Sequence, residues 1–317
     1  MQIRRWVLLL ALLVLAGCEA KGPAETFEVA VQGVLDSALS EDGSKAVIAS
    51  IHHGGSLWDV TSRSRVYNWN HKSGEFTVLR AVAISGDGRR ALTIRESDMV
   101  VWDATNGQAL HFWRAPDKVL SATLSEDGRH ALLGLQNNQA IYFDVEQGQT
   151  LYAFDHGAEV YGVALSADGR FALTGSDDFK ARLWRLDTGE RVQTFEHRNQ
   201  VKTVALSHDG RLALTTSQRE DVVIWDTESG NARNRLPFTY KNFVSARFSR
   251  DDRQLALGGF QGDVYLMDVS SGSELGHWRM KPKKVVGRGS RAIDALAFTG
   301  NGLVAVTSDG QVQRFSR

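Results

Sequence analysis

The chain has 317 residues, of which 42% are hydrophobic and 23% charged, as is ordinary for a globular protein. Lysine and arginine together number 37, as do aspartate and glutamate, and this zero net charge excludes a general electrostatic attraction to nucleic acid. The single cysteine, Cys18, excludes an intrachain disulfide. Four prolines against 30 glycines predict a fold with many tight turns.

Residues 1–18 have the composition of an export signal. Arg4 and Arg5 precede an uninterrupted apolar run, residues 6–16, which is too short to span a bilayer as a stable helix. The run leads into LAGC, residues 15–18, which resembles the lipobox of bacterial lipoproteins. This resemblance implies cleavage after residue 17, lipid attachment at Cys18 and lasting anchorage through several acyl chains. The alternative is an ordinary cleaved signal peptide with an incidental cysteine.

The residue after the cysteine and the short polar stretch that follows bear on location. Glu19 stands where an aspartate, in Gram-negative lipoproteins, commonly signals retention in the inner membrane. The resemblance therefore implies anchorage in the outer membrane, facing the periplasm, in such a host. Residues 18–25 form a lipidated tether that extends at most about 25 Å. The expected organisation is a cleaved signal peptide at 1–17, this tether, and one folded domain at 26–317.

One unit recurs along the rest of the chain and is best formed at residues 163–189, where three short β-rich runs are separated by polar turns. Its first turn is SADG, and copies of that turn recur every 40 to 50 residues. A large apolar residue ends the third run of each copy. The turns end at Gly43, Gly88, Gly128, Gly169, Gly210, Asp252 and Gly302, and the apolar residues are Trp58, Trp102, Phe143, Trp184, Trp225, Met267 and Phe315.

This period and these motifs resemble the WD40-repeat β-propeller family over roughly residues 27–317. The fold class expected is all-β: a seven-bladed WD40-type propeller with four strands in each blade. In that family a histidine, a Ser/Thr, an aspartate and the tryptophan form a buried hydrogen-bonded tetrad. His156, Thr174, Asp178 and Trp184 match it in the central blade, whereas Arg219 replaces the aspartate in the next. These residues are therefore interpreted as structural and not catalytic.

The two ends of the chain predict how the ring closes. The last copy stops at its third strand, and residues 26–32 form a strand with no blade of its own. Pairing the N-terminal strand beside the last one completes the seventh blade and covers its edge. Such a strand would run from the face of the S-x-D-G turns toward the opposite face. The tether is therefore expected to leave from the turn face, with the opposite face directed away from the membrane.

The longest connection, residues 279–291, is the main candidate for partner binding. It lies where the interval between successive copies of the turn is 50 residues, and all its charged residues are positive. Aromatic residues are expected nearby on the same face. Cations beside aromatics suit an acidic or aromatic-anchored peptide, and a solvated basic loop is the alternative. The candidates are Arg279, Lys281, Lys283, Lys284, Arg288 and Arg291, with Tyr240 and Phe260 and, beside these two, Phe238, Lys241 and Phe243.

Histidines and carboxylates predicted on the loop face raise two further possibilities, a metal site and an enzyme. His52, His53 and His71 could meet to hold a metal, although surface histidines explain them more simply. Carboxylates on the loop face allow a metal-dependent propeller hydrolase, but no nucleophile elbow, zinc-binding helix motif or phosphate-cradling glycine loop is present in the sequence. We therefore expect no enzymatic activity and no cofactor. The sequence predicts a monomeric, lipid-anchored envelope scaffold that binds proteins or peptides and not nucleic acid.

Overall fold

The structure is a computed structural model that describes residues 20–71, 77–220, 222–280 and 291–316. Its 28 strands form seven antiparallel sheets of four strands each. The innermost strands of successive sheets contact one another, and the first strand of the seventh sheet contacts the first strand of the first. The sheets are thus blades of a closed ring, and the predicted seven-bladed β-propeller is confirmed.

Six blades are continuous segments of chain whose strands follow in order from the centre of the ring outward. Blade 1 contains β2 (Val34–Leu39), β3 (Lys45–Ser50), β4 (Gly54–Asp59) and β5 (Ser64–Trp69). Blade 2 contains β6 (Ala81–Ile84), β7 (Arg90–Arg95), β8 (Asp98–Asp103) and β9 (Ala109–Arg114). Blade 3 contains β10 (Val119–Leu124), β11 (His130–Leu135), β12 (Gln139–Asp144) and β13 (Gln149–Asp155).

The second half of the ring has the same order. Blade 4 contains β14 (Val160–Leu165), β15 (Phe171–Ser176), β16 (Lys180–Arg185) and β17 (Arg191–Glu196). Blade 5 contains β18 (Val201–Leu206), β19 (Leu212–Ser217), β20 (Val222–Asp226) and β21 (Ala232–Leu236). Blade 6 contains β22 (Phe243–Phe248), β23 (Gln254–Gly259), β24 (Asp263–Asp268) and β25 (Glu274–Arg279).

Blade 7 joins the two ends of the chain. It contains β26 (Ile293–Thr299), β27 (Gly302–Thr307) and β28 (Gln311–Ser316), and its outer strand is the N-terminal β1 (Glu25–Glu28), paired antiparallel with β28. The predicted closure is confirmed, but the strand ends four residues earlier than expected. Val29 and Ala30 both donate their N–H to the carbonyl of Gly310, and this shared acceptor turns the chain toward blade 1.

The repeated S-x-D-G sequence builds its turn from its own side chains. In blade 1, Ser40 Oγ donates to Asp42 Oδ1 at 2.7 Å, while the same carboxylate accepts the N–H of Ser44 at 2.9 Å. Gly43 has a φ of 68°, a conformation that costs glycine little. The same serine-to-aspartate bond recurs in blades 2 to 6, so the motif fixes the first hairpin of each of these blades.

The core lies between adjacent blades and is built from paired rings. Trp69 on the outer strand of blade 1 stacks on Trp102 of blade 2 at 5.2 Å between centroids, and Phe154 of blade 3 stacks on Trp184 of blade 4 at 4.5 Å. The third-strand tryptophan thus fills the space between its blade and the outer strand of the preceding blade. Face-to-face contacts of this kind add to the area each ring removes from water.

The ring has two different faces. One, here the turn face, carries the S-x-D-G turns and the turns between third and fourth strands. The other, here the loop face, carries the connections between blades and the turns between second and third strands. Among the described residues no helix is both long and apolar enough to cross a membrane. Residues 1–19, which include the predicted signal peptide and Cys18, lie outside the described part.

Candidate functional site

The structure brings the four residues of the predicted tetrad together in blade 4. Thr174 Oγ1 lies 2.7 Å from His156 Nε2, and Trp184 Nε1 donates to the same oxygen at 2.8 Å. Because the Thr174 hydroxyl donates its own proton to the Arg182 carbonyl, at 3.3 Å, it accepts from the two rings. The His156 proton is thereby assigned to Nε2.

Arg182 is an unanticipated fifth member of this group. Its Nη1 donates to Asp178 Oδ2 at 2.6 Å and also contacts His156 Nδ1, the ring nitrogen that carries no proton. Burial lowers the pKa of His156, in keeping with a neutral ring. Burial alone would raise the pKa of Asp178, but hydrogen bonds from the Gly157 N–H and from Arg182 hold it well below its usual range. The group is an inward-facing structural network that ties the turns to the strands.

Two other blades contain the same histidine–threonine–tryptophan arrangement. In blade 5, Thr215 Oγ1 lies 2.8 Å from His197 Nε2 and accepts from Trp225 Nε1 at 2.7 Å. In blade 2, Thr93 Oγ1 lies 3.0 Å from His71 Nε2 and accepts from Trp102 Nε1 at 2.8 Å.

The structure therefore does not support the possibility that His71 joins His52 and His53 at a metal site, because the His71 ring belongs to the blade 2 network. The His71 ring is committed to Thr93, and burial lowers its pKa. No group of three metal-ligating side chains occurs among the described residues.

The loop face carries most of the exposed apolar surface. Twelve large hydrophobic residues of the described chain are exposed, and seven of them lie on this face. The other five lie on outer strands, and none lies on a turn of the turn face. The seven are Val31, Leu35, Val78, Phe179, Tyr240, Val244 and Phe260.

Asn242 joins three segments of this face into one surface. Its side-chain Oδ1 accepts the N–H of Arg219, at 2.9 Å, from the second turn of blade 5. Its carbonyl accepts the N–H of Phe260, at 3.0 Å, from the corresponding turn of blade 6. Tyr240 stands two residues before it and Val244 two residues after it. We call the surface formed by Arg219, Tyr240, Val244, Phe260 and Arg291 the blade 5–6 patch.

Two exposed aromatic rings, those of Tyr240 and Phe260, belong to the patch. Tyr240 is 80% exposed and has a φ of 61°, a left-handed conformation that a bulky residue rarely adopts. Phe260 is 51% exposed. A residue that combines an unfavourable backbone conformation with an exposed ring points to binding, since neither property stabilises the fold.

Both ends of the long basic connection reach the patch. Met280 donates its N–H to the carbonyl of Gly262, at 2.9 Å, and a side chain added at Gly262 would meet Arg291 within 3.5 Å. Arg279 Nε lies 3.0 Å from Asp263 Oδ1, so this cation is already paired. Lys281, Lys283, Lys284 and Arg288 lie outside the described residues. Arg219 and Arg291 form no ion pair with a described residue, and each contributes one positive charge to the patch.

The structure corrects the role of two of the three neighbours, Phe238 and Phe243, that the sequence placed with Lys241 beside Tyr240 and Phe260. Phe238 and Phe243 are buried, at 6% and 4% exposure, and pack against each other and Tyr265 in the core between blades 5 and 6. Lys241 donates to the hydroxyl of Tyr265, and its Nζ lies 4.3 Å from the centre of that ring. Phe238 and Phe243 therefore support the patch from beneath, whereas Lys241 is exposed.

A channel of about 510 Å³ runs through the centre of the ring, lined by the first strands of all seven blades. Near its loop-face end stand two partly buried carboxyl groups, Asp36 of blade 1 and Asp294 of blade 7. Asp36 Oδ2 accepts the N–H of Val82 at 2.8 Å, whereas Asp294 Oδ2 is buried without a hydrogen-bond partner in the described part of the chain. At the other end, Arg247 of blade 6 reaches Glu41 of blade 1 and crosses the channel mouth.

The two channel carboxyls favour their protonated forms. Burial raises the pKa of Asp36 to about 7, despite the hydrogen bond from Val82. Burial, together with the nearby Asp36 and Asp309 side chains, raises the pKa of Asp294 to about 8. No sequence motif indicates this pair, since the two residues are 258 positions apart and meet only because the ring closes.

Comparison with known proteins places the chain in a family. No curated protein matches it at a significant level. A family model described as outer membrane protein assembly factor BamB matches residues 44–317, which is most of the chain and most of the propeller. The chain therefore belongs to the family of outer membrane protein assembly factor BamB.

Proposed function

We propose that the protein is a protein-binding platform of the bacterial envelope and that it contributes to the assembly of outer-membrane proteins. The observation that carries this proposal is the exposed apolar and cationic surface on the loop face, centred on the blade 5–6 patch. The family description is consistent with such a role. The proposal assigns the protein a binding role without a chemical step and without a cofactor.

The chemistry of the patch defines its partner. Tyr240 and Phe260 are exposed aromatic rings on loop-face connections, and such side chains serve as anchors at the centres of protein interfaces. Arg219 and Arg291 add positive charge beside them, so a partner segment with acidic residues around an apolar or aromatic side chain is complementary. The basic residues Lys281, Lys283, Lys284 and Arg288 would extend this charge.

We also propose that Cys18 carries the lipid and that the propeller stays in the periplasm, attached to the outer membrane. The LAGC sequence and the residue that follows it support this location, as does the family. We further propose that the blades of this protein are WD40-type repeats. Replacing Cys18 by serine should release the protein from washed membranes.

Affinity capture from solubilised membranes tests the docking proposal. The wild-type protein should retain specific envelope proteins, and a variant with both Tyr240→Ser and Phe260→Ser should lose them. A matched control carries Leu110→Ser and Leu151→Ser, which remove two exposed apolar side chains from the outer strands of blades 2 and 3. Equal capture by the patch variant and the wild type would refute the assignment of the site.

A further inference from the structure

The first described residues of the chain lie on the outer edge of blade 6 and not on the turn face. Lys21 donates its N–H to the carbonyl of His277 at 3.2 Å, and its own carbonyl accepts the N–H of Arg279 at 3.0 Å. The two bonds make a parallel bridge between Lys21 and Trp278 of β25. The expectation that the chain leaves from the turn face, made by following β1 alone, is therefore wrong. The chain crosses from the rim of blade 6 before it enters blade 7.

This attachment shortens the tether that was predicted from the sequence. Only two residues, Glu19 and Ala20, separate Cys18 from Lys21, and these three steps of extended chain span at most about 11 Å. A lipid on Cys18 would therefore lie close to β25, whatever path those residues take. A tether that ended at Glu25 would let the propeller adopt many orientations relative to the membrane. A tether that ends at Lys21 is shorter and limits these orientations.

We propose that the outer rim of blade 6 is the surface that faces the membrane, so that the ring stands on its edge against the lipid headgroups. This inference rests on the proposed lipid at Cys18. Two side chains on this rim suit such a surface. Lys21 is exposed and would lie near anionic headgroups, and Leu275 on β25 is 49% exposed.

An edge-on ring has a consequence for partner binding. Both faces open to the side, and neither is turned away from the bilayer. The blade 5–6 patch then lies on the half of the loop face nearest the membrane. Its partner is therefore expected to present its acidic and apolar segment close to the bilayer surface.

The outer strands provide matched positions for a test. In each of blades 1 to 6 the pairing of the third and fourth strands shifts by one residue, and the extra residue stands on the rim. These residues are Val66, Leu110, Leu151, Val192, Arg233 and Leu275. Leu275 marks blade 6, and Leu110 and Leu151 mark the blades across the ring. Because a lipidated Cys18 has no free thiol, one introduced cysteine would be the only site for a label.

The experiment uses the full lipidated protein, purified from membranes and placed in vesicles of phosphatidylethanolamine and phosphatidylglycerol that contain nitroxide-labelled lipid. We expect the nitroxide to quench a fluorophore at Leu275→Cys and to leave one at Leu110→Cys or Leu151→Cys unquenched. Lys21→Pro, which removes the N–H donated to His277, should reduce this contrast.

Two results would overturn the inference in distinguishable ways. Equal quenching at the three positions, or stronger quenching at Leu110, would show that the rim of blade 6 does not face the lipid although the anchor is present. A mass spectrum that shows Cys18 without lipid would overturn the anchor itself and the orientation derived from it.

Discussion

Thr174→Val removes the hydroxyl group on which the blade 4 tetrad is built while keeping the shape of the side chain. Thr174 is fully buried, and its oxygen accepts from His156 Nε2 and Trp184 Nε1. Both ring N–H groups would then be buried without an acceptor, and each such group costs about 1–3 kcal/mol. The expected loss is about 2–6 kcal/mol of the free energy of unfolding.

Urea unfolding, followed by tryptophan fluorescence on protein with Cys18→Ser, measures this loss. The midpoint should fall by on the order of 1 M urea, given the slope expected for a chain of this size. Thr227→Val is the matched control, because Thr227 is also buried but its hydroxyl makes a single bond, to the carbonyl of Gly210 at 2.8 Å. A Thr174→Val midpoint no lower than that of Thr227→Val would refute the assigned network.

Three further predictions concern the channel and the patch. Because the folded pKa of Asp294, about 8, lies above its unfolded value of 3.8, its protonated form contributes stability that is complete below about pH 4 and lost as the pH rises to about 8. Urea midpoints of Asp294→Asn should therefore fall less between pH 5 and pH 8 than those of the wild type, and parallel pH profiles would contradict the burial of this carboxyl. Tyr240→Ser should leave the free energy of unfolding within about 0.5 kcal/mol of the wild-type value, as is usual for an exposed side chain. A larger loss would show that the ring contributes to the stability of the fold. Asn242→Ala removes the acceptor of the Arg219 N–H and should weaken partner capture while the protein remains folded, as judged by its urea midpoint. Undiminished capture would show that the patch does not depend on this residue.

The repeated motifs made the architecture predictable. Each S-x-D-G turn is stabilised by its own serine and aspartate, so the hairpins were recognisable without knowledge of distant contacts. The number of blades followed from counting these turns, and the closing strand followed from the missing fourth strand of the last blade.

The features that depend on contacts between distant segments could not be predicted. Arg182 joins the blade 4 tetrad because residues alternate along β16, but no motif marks it. The hydrogen bonds of Lys21 to β25 depend on where the tether crosses the ring, which the sequence of the tether does not specify. The union of the Tyr240 and Phe260 loops depends on one polar side chain, Asn242, and its two hydrogen bonds.

The central claim is that the loop face, at the blade 5–6 patch, binds an envelope protein. The most direct test is photo-crosslinking in living cells with a photoreactive phenylalanine analogue in place of Tyr240. Position 240 should give a discrete crosslinked product with another envelope protein, and the same analogue at position 147, in a turn of the turn face, should give none. Crosslinking from position 147 with none from position 240 would contradict the account.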